Sequence, residues 1–254
     1  MRRGFLLVLI VLLATSCTDG RSDRDTAPDV PATTQTADAA DDRAERREER
    51  EGMVASQIQD RGVDDPAVLA AMRAVQRHRF VPDGFADQAY RDHPLPIGYG
   101  QTISQPYIVA LMSSMLGVSA GDRVLEVGTG SGYQAAVLAE MDLVVFTIEI
   151  VPELADRASH VLSDLGYGTV TTREGDGYLG WEEEGPFRAI IVTAAPDHVP
   201  QPLVRQLAPD GRMVIPIGPV GAVQTLWMFS TDESGALLAQ NLGSVRFVPL
   251  TRRE

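Results

Sequence analysis

The chain has 254 residues, of which 44% are hydrophobic and 22% charged, so it is long enough for one large globular domain or two small ones. Its 22 basic residues are all arginine and stand against 35 Asp and Glu, which gives a net charge of −13 and argues against non-specific binding to the phosphates of nucleic acids. A single cysteine excludes an internal disulfide framework.

The first 16 residues have the pattern of an export signal. Arg2 and Arg3 supply a positive start, and residues 5–13 form an apolar run that is too short to span a bilayer. Small residues then precede Cys17, in an arrangement that resembles a bacterial lipoprotein signal. We therefore expect cleavage after residue 16, acylation of Cys17 and a membrane-anchored protein on the periplasmic side. An uncleaved anchor, a buried helix with an incidental cysteine and a cytoplasmic location are the alternatives.

A disordered linker is predicted to follow, so that residues 17–42 comprise the acylated cysteine and this linker. Residues 18–42 are mostly Thr, Asp, Ala and Pro, with too few large apolar side chains to offset the entropy of ordering. A flexible coil of roughly 25 residues reaches on the order of 25–30 Å, which would hold a domain away from a membrane surface. The segment at 41–51, which carries charges of both signs, is expected to begin the first helix. The folded domain is thus predicted at 43–254.

Two short helices, at 48–59 and 66–75, are predicted before a stretch rich in Pro and Gly at 92–105, which we expect to be a loop. Beyond it, strand-like runs alternate with helical patterns. The predicted strands are 123–127, 144–150, 169–173, 189–192 and 213–217, and the helices between them are 134–141, 152–165 and 200–207. This alternation predicts an α/β fold with a doubly wound parallel sheet. Two further strands, at 225–230 and 244–249, have no helix between them and predict an antiparallel C-terminal edge.

A glycine-rich loop follows the first predicted strand of the sheet, in the segment VLEVGTGSGY at 124–133. Glycines at 128, 130 and 132 allow backbone to approach a ligand closely at the start of a helix. A dinucleotide fingerprint would need its third glycine at 133, where Tyr133 stands, so the spacing excludes that motif. The pattern of Glu126 followed by Gly128, Gly130 and Gly132 predicts instead a loop that binds S-adenosylmethionine. A purely structural tight turn is the alternative.

Two more acidic residues follow the next two predicted strands. Glu149 ends the second strand, where its carboxylate can accept hydrogen bonds from both hydroxyls of a ribose. Asp176 and Gly177 come just after the third strand, where a carboxyl group and a backbone N–H can meet the edge of an adenine. Glu149 could also be a charge near a helix N-terminus, and Asp176-Gly177 a simple turn. Three such signals at three successive strand ends favour one shared adenosyl cofactor.

The sequence resembles the protein-L-isoaspartate O-methyltransferase family from about residue 48 to 251. The matching segments are RFVP at 79–82, LPIGYGQTISQPYIVALM at 95–112, TIEIVPELA at 147–155, GDGYLGW at 175–181, IIVTAAP at 190–196 and VRFVPLT at 245–251. Within these, GQTISQP at 100–106 is the specific signal, because other methyltransferases share the glycine loop without it. The resemblance implies the Rossmann-like fold of a class I methyltransferase, preceded by an N-terminal helical segment.

The resemblance also implies roles for individual residues. Ser104 would be the active-site residue, and capping of the helix predicted at 105–116 is an alternative role that can coexist with it. The cofactor contacts would come from Glu126, Gly128, Gly130, Gly132, Glu149, Asp176 and Gly177, together with Thr102, Ile103 and Thr251. The backbone of the substrate would be held by Ile103, Gln105, Val245, Arg246 and Phe247. The implied activity is methyl transfer from S-adenosylmethionine to the free carboxyl of L-isoaspartyl residues in damaged proteins, with D-aspartyl residues left open, so that repair proceeds through a succinimide.

The expected partners are isoaspartyl-containing proteins and peptides, with no nucleic acid, and the expected state is a monomer. No metal site is predicted, since there is one cysteine and no pair of histidines at ligand spacing. The four histidines, His78, His93, His160 and His198, are expected at the surface or in loops. The alternative functions are another S-adenosylmethionine-dependent methyltransferase and a non-catalytic exported lipoprotein that keeps the fold.

Overall fold

The structure, a computed structural model, describes residues 46–231 and 237–252. The export signal, Cys17 and the linker lie outside these residues. The described chain begins with helix α1 at Arg47–Met53, which continues through a π turn at Val54–Ile58 and a 3-10 turn at Gln59–Arg61. Helix α2 follows at Pro66–Ala74, and Asp65 caps it by accepting hydrogen bonds from the N–H groups of the first turn. The predicted N-terminal helical segment is therefore confirmed.

The stretch predicted as a loop at 92–105 contains a small antiparallel hairpin, so that prediction was wrong. Strand β1 is Leu95–Gly98 and strand β2 is Gln101–Ile103. The hairpin forms because Leu95 and Ile97 alternate with exposed residues, and their burial gives the strand one apolar face. Gly98 and Gly100, which suggested a loop, have positive φ and allow the turn between the strands, whereas Pro96 lies within β1. Helix α3, Pro106–Ser114, starts three residues after β2.

The main sheet has seven strands in the order β5-β4-β3-β6-β7-β8-β9. The strands are β3 Arg123–Val127, β4 Val144–Glu149, β5 Thr171–Glu174, β6 Phe187–Val192, β7 Leu207–Ile217, β8 Gln224–Thr231 and β9 Leu237–Val245, and the helices between them are α4 Tyr133–Glu140, α5 Pro152–Asp164 and α6 Gln201–Arg205. Strands β3 to β7 run parallel, and β8 and β9 are antiparallel to their neighbours. This confirms the predicted Rossmann-like α/β fold with an antiparallel C-terminal edge.

The last strand lies earlier than the sequence predicted. The sheet contains Leu237–Val245, whereas residues 246–249 of the predicted strand lie outside it. There the chain crosses the carboxyl end of β6, where Ala195 donates its N–H to the carbonyl of Val248 and accepts one from Leu250. The prediction failed because β9 is an edge strand with both faces largely exposed, and it therefore has no buried alternation to detect.

The sheet buries an apolar face on each side. Val124 and Ala189 pack in the cluster that includes side chains of α2, α3, α4 and α5, whereas Leu125 and Ile190 pack in the second cluster, which includes Leu203 of α6. Because β3, β4 and β6 run parallel, their carboxyl ends lie at one common edge of the sheet. Among the described residues, no helix combines the length and apolar character needed to cross a bilayer.

Candidate functional site

The loop between β3 and α4 is shaped by its glycines. Gly128 has φ +101°, and a Cβ there would lie 2.4 Å from the Oγ1 of Thr193, so no larger residue fits without displacing that side chain. Thr193 in turn donates its hydroxyl to the carbonyl of Gly128 at 2.6 Å. Gly132, by contrast, faces helix α5, where a Cβ would meet Leu162 at 3.2 Å. The first part of the loop is therefore packed against Thr193, and the last part packs against a helix.

Glu149, the last residue of β4, is only 6% exposed. Its Oε2 accepts the N–H of Gly130 at 2.8 Å, and its Oε1 accepts the N–H groups of Ile150 and Val151 at 2.9 and 3.0 Å. These three donors fix the orientation of the carboxyl group at the strand end. Each oxygen keeps lone pairs with which it can accept a hydroxyl from a ligand.

Glu126 is fully buried on β3 beside this loop. Its Oε2 accepts the hydroxyl of Thr147 at 2.6 Å, and its Oε1 has no hydrogen-bond partner within the described residues. Burial raises the pKa of Glu126 to about 8, and the nearby charge of Glu149 adds to the effect. In the ligand-free protein Glu126 is therefore predominantly neutral at pH 7.

This buried carboxyl group makes stability depend on pH. The folded protein keeps its proton up to a pKa of about 8, whereas the unfolded chain loses it near 4.5, so folding takes up a proton between these values. The contribution of Glu126 to the free energy of unfolding is therefore fully present below pH 4.5 and is lost as the pH rises toward 8. Urea unfolding of the Glu126→Gln variant is expected to show a gain over the wild type that is at least about 1 kcal/mol larger at pH 8 than at pH 5. An equal difference at both pH values would contradict the assignment.

Asp176 and Gly177 follow β5, which is separated from β3 and its glycine loop by β4. Asp176 accepts the N–H of Tyr178 at 3.0 Å, and its other oxygen lies 3.6 Å from the Nε of Arg252. A Cβ on Gly177 would lie 2.5 Å from Val127, so close packing on β3 requires glycine here. Gly177 lines a cavity at the carboxyl ends of the strands, whereas its neighbour Asp176 does not.

Three connected cavities lie at this edge of the sheet. The first is lined by Gly128, Gly130, Glu149, Gly177 and Thr251, and the second by Ile103, Ser104, Glu126, Gly128 and Gly130. The third is a cleft of about 680 Å³, lined by Ser104, Gln105, Val245, Arg246 and Phe247. Thr102 and Thr193 line all three. The fold thus brings Ser104 to the border between the glycine-loop cavities and an open cleft. Of the predicted site residues, Gly132 and Asp176 are absent from these linings.

The residues around the first two cavities suit an adenosyl ligand with a cationic amino acid part. Gly128, Gly130 and Gly177 line the first cavity and carry no side chain, so their backbone can contact a flat or extended ligand directly. Glu149 offers a carboxylate, and the unpartnered oxygen of buried Glu126 is an acceptor for a positively charged donor. No group of His, Cys, Asp and Glu in the part of the chain that the structure describes is arranged to hold a metal ion.

The sequence did not identify Thr193 at the site or Asp92 beside it, and the expected location of His78 was wrong. Thr193 directly follows β6, and its position at a carboxyl strand end was the available signal. Asp92, in the stretch predicted to be a loop, binds the side chain of Gln105 at 2.7 Å. His78 is not at the surface, since it is only 8% exposed and its Nδ1 lies 2.6 Å from the hydroxyl of Tyr90.

Comparison with known proteins identifies the family of this chain. The family model described as Protein-L-isoaspartate(D-aspartate) O-methyltransferase matches residues 48–254. A protein-L-isoaspartate O-methyltransferase of Gloeobacter violaceus is 55% identical over 202 residues, which cover 80% of this chain and 98% of that protein. One of Picosynechococcus sp. is 56% identical over 199 residues, which cover 78% of this chain and 88% of that protein.

Solved structures show the same similarity. A protein-L-isoaspartate O-methyltransferase structure superposes with a TM-score of 0.72 at 29% identity, over 80% of this chain and 65% of that one. A structure from Plasmodium falciparum, described as such a methyltransferase in complex with S-adenosyl-L-homocysteine, superposes with a TM-score of 0.68 at 26% identity, over 80% of this chain and 99% of that one.

Proposed function

Since this chain belongs to the protein-L-isoaspartate(D-aspartate) O-methyltransferase family, we propose how its residues perform the reaction and where the enzyme works. The enzyme transfers a methyl group from S-adenosylmethionine to the free carboxyl of L-isoaspartyl residues in damaged proteins. The observation that supports the residue roles below is the placement of Ser104 between the glycine-loop cavities and the open cleft.

S-adenosylmethionine supplies a methyl group on a positively charged sulfur. The protein binds the cofactor with Gly128, Gly130 and Gly177, where backbone can come close, and with Glu149, whose carboxylate accepts the ribose hydroxyls. Glu126 lines the adjoining recess, where its carboxyl group would face the amino acid part of the cofactor. Thr102 and Thr251 complete the walls.

The reaction needs no general base from the protein, because the nucleophile is a carboxylate that is already ionised at pH 7. The contribution of the protein is to align the carboxylate with the methyl group and exclude water. Ser104 donates its hydroxyl to the carboxylate oxygen that does not attack. Consistent with this role, no side chain caps the N-terminus of helix α3, so the hydroxyl of Ser104 is not used as a helix cap.

The cleft holds the peptide around the isoaspartyl residue through its main chain. Ile103 ends β2, and Val245 ends the edge strand β9, so both present backbone groups of strand ends near the cleft. The N–H of Phe247 is already bonded to the side chain of Gln224 at 2.9 Å, and Val245 is paired with Gln224 in the sheet, so substrate would pair with the outer side of this edge at Val245 and Arg246. Recognition through backbone explains how one enzyme accepts many sequences around a damaged site.

The proposed function is tested by methyl transfer to a matched pair of peptides. The purified enzyme is incubated with methyl-labelled S-adenosylmethionine and either an isoaspartyl peptide or the same sequence with normal aspartate. Label is expected in the isoaspartyl peptide only, and the product is expected to decay to a succinimide. Equal labelling of the two peptides, or labelling of neither, would remove the repair function.

Arg246 is expected to draw the negatively charged substrate into the cleft. It is exposed, and it is the one charged side chain among the described residues that line this cleft. Arg246→Gln should raise KM for the isoaspartyl peptide by about two- to five-fold with kcat unchanged, as expected for an exposed charge pair. The increase should shrink at high salt. Arg205→Gln, on helix α6, is the matched control and should change neither constant.

The enzyme is exported and anchored to the membrane through Cys17, on the periplasmic side. The supporting observations are the apolar run at 5–13, the small residues before Cys17 and the linker composition at 18–42. Residues 1–47 precede the part of the chain that the family model matches. On this proposal the mature enzyme is a monomer, and S-adenosylmethionine must reach it on the periplasmic side of the membrane.

Fractionation with mass spectrometry of the N-terminus tests this location. The expected mature chain begins at acylated Cys17 and sediments with membranes, and Cys17→Ser should abolish the acylation and release the protein. A soluble cytoplasmic protein that retains residues 1–16 would defeat the proposal. Gel filtration of detergent-solubilised enzyme, with the bound detergent subtracted by light scattering, is expected to give the mass of one chain.

A further inference from the structure

The carboxylate of Asp92 links the N-terminal helical part to the loop that carries Ser104. Its Oδ2 accepts a hydrogen bond from the Nη1 of Arg61 at 2.7 Å and another from the side-chain amide of Gln105 at 2.7 Å. The guanidinium of Arg61 also lies 3.5 Å from the ring centre of Tyr107 in α3. Asp92 is half-buried, so these contacts are only partly open to water.

The contact with Gln105 matters because the connection it holds is short. Only Ser104 and Gln105 separate the end of β2 from the start of α3. Backbone pairing of Ile103 with Leu95 fixes one side of this connection, and Pro106 begins the helix on the other. Between them, the side-chain amide of Gln105 is bonded to Asp92. Both Ser104 and Gln105 line the cleft, so displacement of one moves the other relative to the substrate.

We propose that Asp92 is a positioning residue for methyl transfer: through its hydrogen bond to Gln105 it fixes the connection that carries Ser104, at the border between the cofactor cavities and the substrate cleft. The proposal rests on the role given to Ser104 above. Asp92 does not line the cofactor cavities or the cleft, so it acts through Gln105 and touches neither cofactor nor substrate. Its removal should affect alignment in the transition state, with little effect on cofactor binding.

The Asp92→Ala variant tests the proposal through a split between kinetic and binding constants. Its kcat for an isoaspartyl peptide should fall by about 10- to 100-fold, since misplacement of a positioning group by 1 Å can cost a factor of that order. The affinity for S-adenosylhomocysteine, measured by calorimetry, should stay within about two-fold, because Asp92 does not contact the glycine loop. An equal loss in both measurements would overturn the proposal.

Two further variants separate positioning from general stability. Asp92→Asn keeps an oxygen that can accept from Gln105, so it should retain kcat within about five-fold of the wild type. Arg61→Met removes the ion pair but leaves the bond between Asp92 and Gln105, and its kcat should stay within about three-fold. If Arg61→Met loses as much kcat as Asp92→Ala, the attachment of the N-terminal helical part carries the effect and the proposal is wrong.

A reciprocal exchange provides a rescue that a merely structural role would not produce. Gln105→Glu places a second carboxylate against Asp92 and should lower kcat by about ten-fold or more through repulsion and loss of the bond. Combining it with Asp92→Asn restores a hydrogen bond in the reverse direction and should recover at least about five-fold in kcat. No recovery would contradict the proposal. Failure of the proposed function itself is distinguishable, since the wild type would then not label the isoaspartyl peptide.

Discussion

Replacing Glu149 with alanine is expected to weaken binding of S-adenosylmethionine and S-adenosylhomocysteine by about 100- to 1,000-fold. The estimate corresponds to losing two hydrogen bonds between a charged carboxylate and ribose hydroxyls, each worth about 1.5–3 kcal/mol, with part of the loss recovered by water. The variant also leaves the N–H groups of Gly130, Ile150 and Val151 without their acceptor, so the loop that binds the cofactor becomes less ordered.

Titration calorimetry with S-adenosylhomocysteine measures this effect directly. The matched control is Glu153→Ala, since Glu153 is an exposed carboxylate four residues further on, in the first turn of α5. It should bind with wild-type affinity. At saturating cofactor, Glu149→Ala should recover much of its kcat, because Glu149 is remote from the reacting carboxylate in this scheme. Wild-type affinity in Glu149→Ala would show that the cofactor binds elsewhere.

Ser104→Ala is expected to have the opposite effect. Loss of a hydroxyl that donates to a charged carboxylate should lower kcat by about 10- to 100-fold, since a hydrogen bond to a charged group is worth about 1.5–3 kcal/mol. Affinity for S-adenosylhomocysteine should stay within about three-fold, because Ser104 does not line the first cavity, which is the one that Glu149 lines.

Steady-state methylation of an isoaspartyl peptide at saturating cofactor measures the loss in kcat. Ser114→Ala provides the control, since Ser114 lies in α3 and donates only to the carbonyl of Leu111. If Ser104→Ala turns over at the wild-type rate, the hydroxyl has no part in alignment. The two variants together, Glu149→Ala and Ser104→Ala, divide the site into a binding half and a reacting half, and a common pattern in both would contradict that division.

The strands at the centre of the sheet were predictable because each carries a continuous apolar run. Strand β3 occupies the predicted residues 123–127, and β4 ends at Glu149, one residue before the predicted end. Both are buried in the centre of the sheet, so most of their side chains are apolar and the pattern was detectable. The hairpin of β1 and β2 and the edge strand β9 lack that pattern, the first because it is short and interrupted by Pro and Gly, the second because it is exposed.

The candidate site residues differ in the same way, since some carry a local sequence pattern and others do not. Glycine spacing and acidic residues at strand ends identified Glu126, Gly128 and Glu149 from the sequence, because their positions follow from the chain direction of parallel strands. Thr193 had only its position after β6 as a signal, and Asp92 had none. Their importance comes from contacts with residues far along the chain, 65 residues for Thr193 with Gly128 and 13 for Asp92 with Gln105.

By itself, the amino-acid sequence determined the fold class, the family and the cofactor, because these depend on local patterns: apolar periodicity, glycines at turns, and acids at strand ends. Only the tertiary structure decided which oxygen of Glu149 binds which N–H, that Glu126 is buried without a counter-charge, and that Asp92 holds the connection bearing Ser104. Those properties arise from the packing of separate segments, and the free energy of burying a charge or aligning a hydrogen bond depends on neighbours that no local pattern specifies.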